Sequence, residues 1–136
     1  MRSFSQSDML RSDIVRPTTK LDPEALLPLP YAVFQILVAL AERERHGYGI
    51  MQDIAARTNG KFRLSPGTLY GSIKRMIEQE LIQESEERPD PQLDDERRRY
   101  YRITDFGRRV TSAETERLSR LVSQAVAGLL HGSKPA

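Results

Sequence analysis

Cysteine is absent from the 136 residues. A disulfide framework and thiolate metal sites are therefore excluded, and a reducing compartment suits the chain. Tryptophan is absent as well, and the two histidines, His46 and His131, are too few for most histidine-rich metal or catalytic clusters. No long apolar run exists: the most apolar stretch, Tyr31 to Ala41, is too short to span a bilayer. Residues 1–27 lack the apolar core of a signal peptide. A soluble, cytoplasmic chain without membrane contact is the default expectation. Excess charge of one sign is missing too. The formal net charge is only +2, so the distribution of charge, not its total, has to speak about nucleic acid. What remains is a globular mixture, 38% hydrophobic and 29% charged, of a length that suits one modest core.

Residues 1–27 are polar and mixed in charge, broken by Pro17 and Pro23, and read as a flexible arm with at most a short helical turn. From Leu29 the pattern changes. Val33, Phe34, Ile36, Leu37 and Leu40 recur at three- and four-residue spacing, which predicts a buried-face helix ending in the charged run 42–45. His46-Gly47 breaks it. A second helix carries Ile50 and Ile54 and is closed by Asn59-Gly60, with glycine where a left-handed cap is usual. Ser65-Pro66 then opens a third. Serine accepts from free N–H groups of the first turn, and proline at the first helical position gives up a donor that had no partner. Leu69, Ile73, Met76 and Ile77 fall on one face of it, extending toward Glu80. Gly67, Gly71, Lys74 and Glu78 fall on the opposite face, with Thr68, Ser72 and Arg75 on a flank and Tyr70 at the boundary.

A strand is predicted from Leu81-Ile82 onward, and a partner at Arg99–Ile103 with Tyr101 and Ile103 on one face. Residues 88–96 form a long polar tip between them. Thr104 and Asp105 start a last helix that runs to about residue 131, roughly 40 Å at 1.5 Å per residue. The order is three helices, a hairpin and one long helix. It predicts a mainly α fold with a small β-hairpin: a winged helix-turn-helix domain over 28–104, a long helix over 105–131 and a tail over 132–136.

A helix reads DNA when one face is held by a core and the other offers short or hydrogen-bonding side chains to a groove. The third helix fits. Gly67 and Gly71 allow close backbone approach; Ser65, Thr68 and Tyr70 offer hydroxyls; Lys74 and Arg75 offer cations. Lys61 and Arg63 precede the helix, where its positive end favours anions, and Tyr48 at the start of the second helix is counted with this set. The bland alternative is a solvated polar face. In the wing, residues 84–96 hold seven acids against one arginine, and residues 97–109 hold six arginines against Asp105. Arg97, Arg98 and Arg99 are candidate phosphate contacts, or they neutralise the neighbouring acids. The last helix bears an apolar stripe in which Leu118, Leu121, Val122, Ala125 and Leu129 are candidate dimer contacts; packing back on its own domain is the other reading. It is not a strict heptad seam. Nucleophile–base pairs, glycine-rich phosphate loops and zinc spacings do not occur, so no cofactor, metal or catalytic residue is expected.

Three segments in order, His46-Gly47-Tyr48-Gly49-Ile50, Leu64 to Tyr70, and Arg98 to Thr104 with Gly107, resemble the signature of the PadR family of bacterial transcriptional regulators. The resemblance spans about residues 29–110. It implies a winged helix-turn-helix domain that binds palindromic operator DNA as a homodimer, usually as a repressor, with the C-terminal helix supplying dimer contacts. A single such helix places the chain with the shorter branch of the family. Some members take small aromatic effectors between subunits; here no tryptophan is available to stack on one, so an effector is left open. A winged-helix module that binds protein and never DNA is the rival reading, and an enzyme the third.

Overall fold

The computed structural model describes residues 22–85 and 99–132. Helix α1 (Tyr31–Glu42) follows Pro30 and buries Val33, Ile36, Leu37 and Leu40 of the stripe expected from their spacing, whereas Phe34 is only half-buried. It ends before Arg43, whose backbone is extended. The next residues, Arg45–His46, form a short strand, β1, where the sequence pattern indicated only the charged end of a helix and a break. Arg45 explains the difference. Its side chain is only 11% exposed, because it donates to the Ala39 carbonyl left open at the helix end and pairs with Glu42 and Asp53.

Helix α2 (Gly47–Arg57) is capped by the His46 imidazole, whose Nδ1 accepts from the Gly49 N–H at 3.0 Å. Its far end is tied to α1: Arg57 donates to the Gln35 side chain at 2.8 Å and pairs with Asp53 at 2.7 Å. Asn59 and Gly60, both at positive φ, turn the chain toward the next helix, as the Asn-Gly pair suggested.

Helix α3 (Pro66–Glu78) has the predicted start, with Ser65 Oγ accepting from the Thr68 N–H at 3.2 Å. Leu69, Ile73 and Met76 are buried, and so is Ser72, which the pattern had put on a flank. Ile77 departs from expectation: it is 38% exposed. It borders an open groove of about 570 Å³ between the end of α3, the following strand and the root of the last helix, lined also by Ile82, Phe106 and Arg109. Glu80 is outside the helix, in a left-handed conformation at φ 63°. The N–H of the next residue, Leu81, returns to the Met76 carbonyl at 2.9 Å, the pairing that closes a helix through a left-handed residue.

Strands β2 (Ile82–Ser85) and β3 (Tyr100–Ile103) pair antiparallel, with Ile82 opposite Ile103, both buried. β1 joins the other edge of β3, giving a three-stranded sheet of order β1-β3-β2. The polar tip expected over residues 88–96, and Arg97 and Arg98 after it, lie outside the described residues. Helix α4 (Asp105–His131) begins at the Thr104 cap. It buries Phe106, Val110 and Glu114, and every residue from Ser119 to Gly132 is exposed. Before α1, a 3-10 turn (Pro23–Leu26) capped by Asp22 packs against α4, and Leu26, Leu27 and Leu29 extend the core there. Three helices, a hairpin with one added edge strand and a long helix make a winged helix-turn-helix fold.

Candidate nucleic-acid interface

Helix α3 is held by its buried residues against α1 and β2, which leaves the opposite face to solvent. Ser65, Gly67, Thr68, Lys74 and Arg75 are exposed on it, Tyr70 is 48% exposed, and Gly71 is half-buried. Lys61 and Arg63 are exposed on the approach to its N-terminus. Tyr48, 59% exposed at the first turn of α2, lies parallel to the His46 ring with centroids 6.5 Å apart. His46 also meets Tyr100 of β3 edge-on at 5.3 Å, so the start of α2 is braced against the sheet.

The glycines divide into two kinds. Gly47 is buried, and a Cβ there would collide with the Tyr70 hydroxyl and ring. That glycine lets α2 and α3 meet. At Gly67 a Cβ would meet nothing within 4 Å, and at Gly71 only the tip of Arg75, at 3.9 Å. Neither has positive φ. Nothing among the described residues requires glycine at these two positions, although glycine in a helix is less favourable than alanine by about 0.5–1 kcal/mol. Both lie on the exposed face that carries Lys74 and Arg75.

At the base of the wing, Arg99 is exposed and donates to Glu84 at 2.9 Å across the two strands. The alternative of neutralised acids thus holds for this arginine in the isolated chain. An exposed pair of this kind is weak and opens readily to a competing phosphate. Between wing and helix, burial pushes the Tyr101 phenol above its ordinary range, with nearby Tyr70 and Glu84 adding to the rise. Tyr101 is a buried residue of β3.

The apolar residues marked on the last helix do not share one environment. Leu118 is half-buried, whereas Leu121, Val122, Ala125 and Leu129 are exposed, together with Val126 and Leu130. Among the described residues, no helix is long and apolar enough to cross a membrane. Glu114 is a functional-looking group that sequence pattern did not single out. It is 2% exposed and accepts from the Leu29 N–H at 2.9 Å and from Arg117 at 2.6 Å. The Arg117 guanidinium holds its carboxyl below the ordinary carboxylate range, and the Leu29 N–H acts in the same direction against the effect of burial. Its role is to tie the segment before α1 to α4.

The profile of the transcriptional regulator PadR-like family matches residues 36–113. The chain is similar to the transcriptional regulator Rv3488 of Mycobacterium tuberculosis, with 32% identity over 96 residues that cover 71% of this chain and 83% of that protein. An uncharacterised protein of Lysinibacillus sphaericus is 36% identical over 100 residues, 74% of this chain and 77% of its own length. Among solved structures, a PadR-like transcriptional regulator of Bacillus cereus superposes with a TM-score of 0.60 at 25% identity, covering 74% of this chain and 91% of that one.

Proposed function

The chain belongs to the PadR-like family of transcriptional regulators, and on that premise we propose that it is a repressor that binds a palindromic operator in duplex DNA as a homodimer, with α3 in the major groove. The observation that carries this reading is the pair of glycines on the outer face of α3 that the fold itself does not need. A solvated face gains nothing from them. A duplex backbone or base edge at close range does, and Lys74, Arg75, Lys61 and Arg63 around them supply the charge that phosphates require. Tyr48 at the start of α2 and Arg99 ahead of β3, with Arg97 and Arg98 before it in sequence, extend the same contact set; the acidic run that precedes them is unsuited to phosphates by its charge.

The exposed second half of α4 supports homodimerisation. Two recognition helices must stand about 34 Å apart to enter successive major-groove turns, which one winged domain cannot provide. The exposed aliphatic side chains of α4 are the surface offered to a second copy, through a two-fold contact centred on Leu121, Val122 and Ala125. Repression is the direction common among relatives by resemblance.

The test uses duplexes that the wild-type protein retains from a randomised pool. Lys74→Ala with Arg75→Ala weakens binding by about 1–3 kcal/mol if either side chain makes a bidentate base contact. Unchanged affinity in the double variant removes these residues from the interface.

A further inference from the structure

Three junctions of the fold meet at one hydroxyl. Thr104 Oγ1 donates to the Glu80 carbonyl at 2.6 Å, with the Leu81 carbonyl sharing the proton at 3.0 Å. The same oxygen accepts from the Gly107 N–H at 2.9 Å, capping α4. The Thr104 N–H donates to the Leu81 carbonyl at 3.0 Å. Glu80 and Leu81 are the two residues that close α3, and Leu81 leads directly into β2. Gly107 completes the joint: a Cβ there would collide with the Leu81 carbonyl oxygen and press on Ile103. The end of the DNA-reading helix, the root of the wing and the start of the long helix are thus pinned within one turn of backbone.

We propose that Thr104 is a positioning residue for DNA recognition: by fastening the Glu80–Leu81 turn to the start of α4, it makes α3 and α4 one rigid piece and so fixes the separation of the two recognition helices in the dimer. This rests on the dimeric DNA-binding reading above. Thr104 touches no DNA in it. The joint acts through two successive backbone carbonyls, of Glu80 and Leu81, and it contains a left-handed non-glycine residue, Glu80, at φ 63°. In the proposed role these bonds disfavour other geometries at this corner, and so hold the angle between reading helix and pairing helix. A joint that merely held the domain together would influence every kind of DNA binding alike. One that sets a spacing influences only DNA in which two half-sites must be met at once.

The experiment compares the wild type with Thr104→Val, which keeps the shape and drops the hydroxyl, and Thr104→Ser, which keeps the hydroxyl. Each is titrated with a duplex selected by the wild type from a randomised pool and with a scrambled duplex of the same composition, and each is sedimented. The expected result is a dimeric Thr104→Val that binds the scrambled duplex within about twofold of the wild type, because phosphate contacts are intact. It binds the selected duplex about tenfold or more weakly, the scale of one lost specific contact, and Thr104→Ser recovers the wild-type value. Equal loss on both duplexes, or no loss on either, overturns the proposal. A second measurement needs no variant: a single base pair inserted between the half-sites must lower wild-type affinity about tenfold or more, and tolerance of it overturns the proposal even if Thr104→Val does not fold. A wild type that binds no duplex overturns the underlying DNA-binding reading and the proposal with it, an outcome distinct from normal binding by an unaffected Thr104→Val.

Discussion

Replacing Gly71 by alanine separates a face built for a partner from one that is only solvated. Among the described residues, the added methyl meets only the Arg75 guanidinium, at 3.9 Å, an ordinary contact with the flexible end of a side chain. Gly71 sits inside α3, and its φ is not positive, so alanine adopts the same backbone. The helix should gain about 0.5–1 kcal/mol, chiefly from the lower entropy of the unfolded chain. Its melting temperature should rise by a few degrees, at roughly 4–8 °C per kcal/mol for a domain of this size. Bound to DNA, the same methyl occupies space that a duplex lying against the glycine would fill. Overpacking of a close contact costs about 1–3 kcal/mol, equivalent to roughly fivefold to 150-fold in affinity. Stability and binding therefore move in opposite directions. Gly67→Ala should follow the same pattern with a smaller stability gain, since it lies in the first turn. Thermal unfolding followed by circular dichroism gives the first quantity, and titration of a labelled selected duplex gives the second. An alanine variant that is more stable and binds as well as the wild type refutes the close approach. One that is less stable shows that the fold needs this glycine after all.

Two further outcomes follow from other parts of the molecule. The exposed fractions of Leu121, Val122, Val126, Leu129 and Leu130, taken against about 1.5–3 kcal/mol for a fully buried aliphatic side chain, come to about 5–9 kcal/mol per subunit. Pairing two copies overcomes an association cost of about 4–15 kcal/mol only if most of this is realised, so Leu121→Asp with Ala125→Asp should sediment as a monomer with its helical spectrum intact; a persistent dimer places the contact elsewhere. Glu114→Ala leaves the half-buried Leu29 N–H without its acceptor and should destabilise the fold by about 1–2 kcal/mol at neutral pH. Because the folded carboxyl titrates below its ordinary value of 4.5, its contribution is present above that value and lost as pH falls through the folded one. The difference between wild type and variant in chemical unfolding should shrink in acid, and a pH-independent difference contradicts the assignment.

Much of this architecture could be read from local chemistry. Ser65-Pro66 announces α3 because capping and a fixed φ act within one turn, and Thr104-Asp105 announces α4 for the same reason. What escaped depends on distant partners. Two residues of β1 carry no periodicity, and the burial of Arg45 depends on Asp53 and the Ala39 carbonyl, neither adjacent in sequence. Glu114 stands in a polar stretch and is buried because Leu29, 85 residues earlier, needs an acceptor. Ile77 has the spacing of the core face, but the groove beside it leaves that corner unfilled. The glycines are the most instructive case. Gly47, Gly67, Gly71 and Gly107 are indistinguishable as letters, yet two are demanded by packing and two by nothing among the described residues.

The central claim is that a dimer of this chain presents two α3 helices to successive turns of one DNA face. Nuclease protection of the duplexes selected by the pure protein measures that directly. The expected pattern is two protected half-sites related by a two-fold axis, centred about one helical turn, roughly 34 Å, apart, with protection fading steeply as salt is raised. A single protected site, or no protection at low salt, contradicts it.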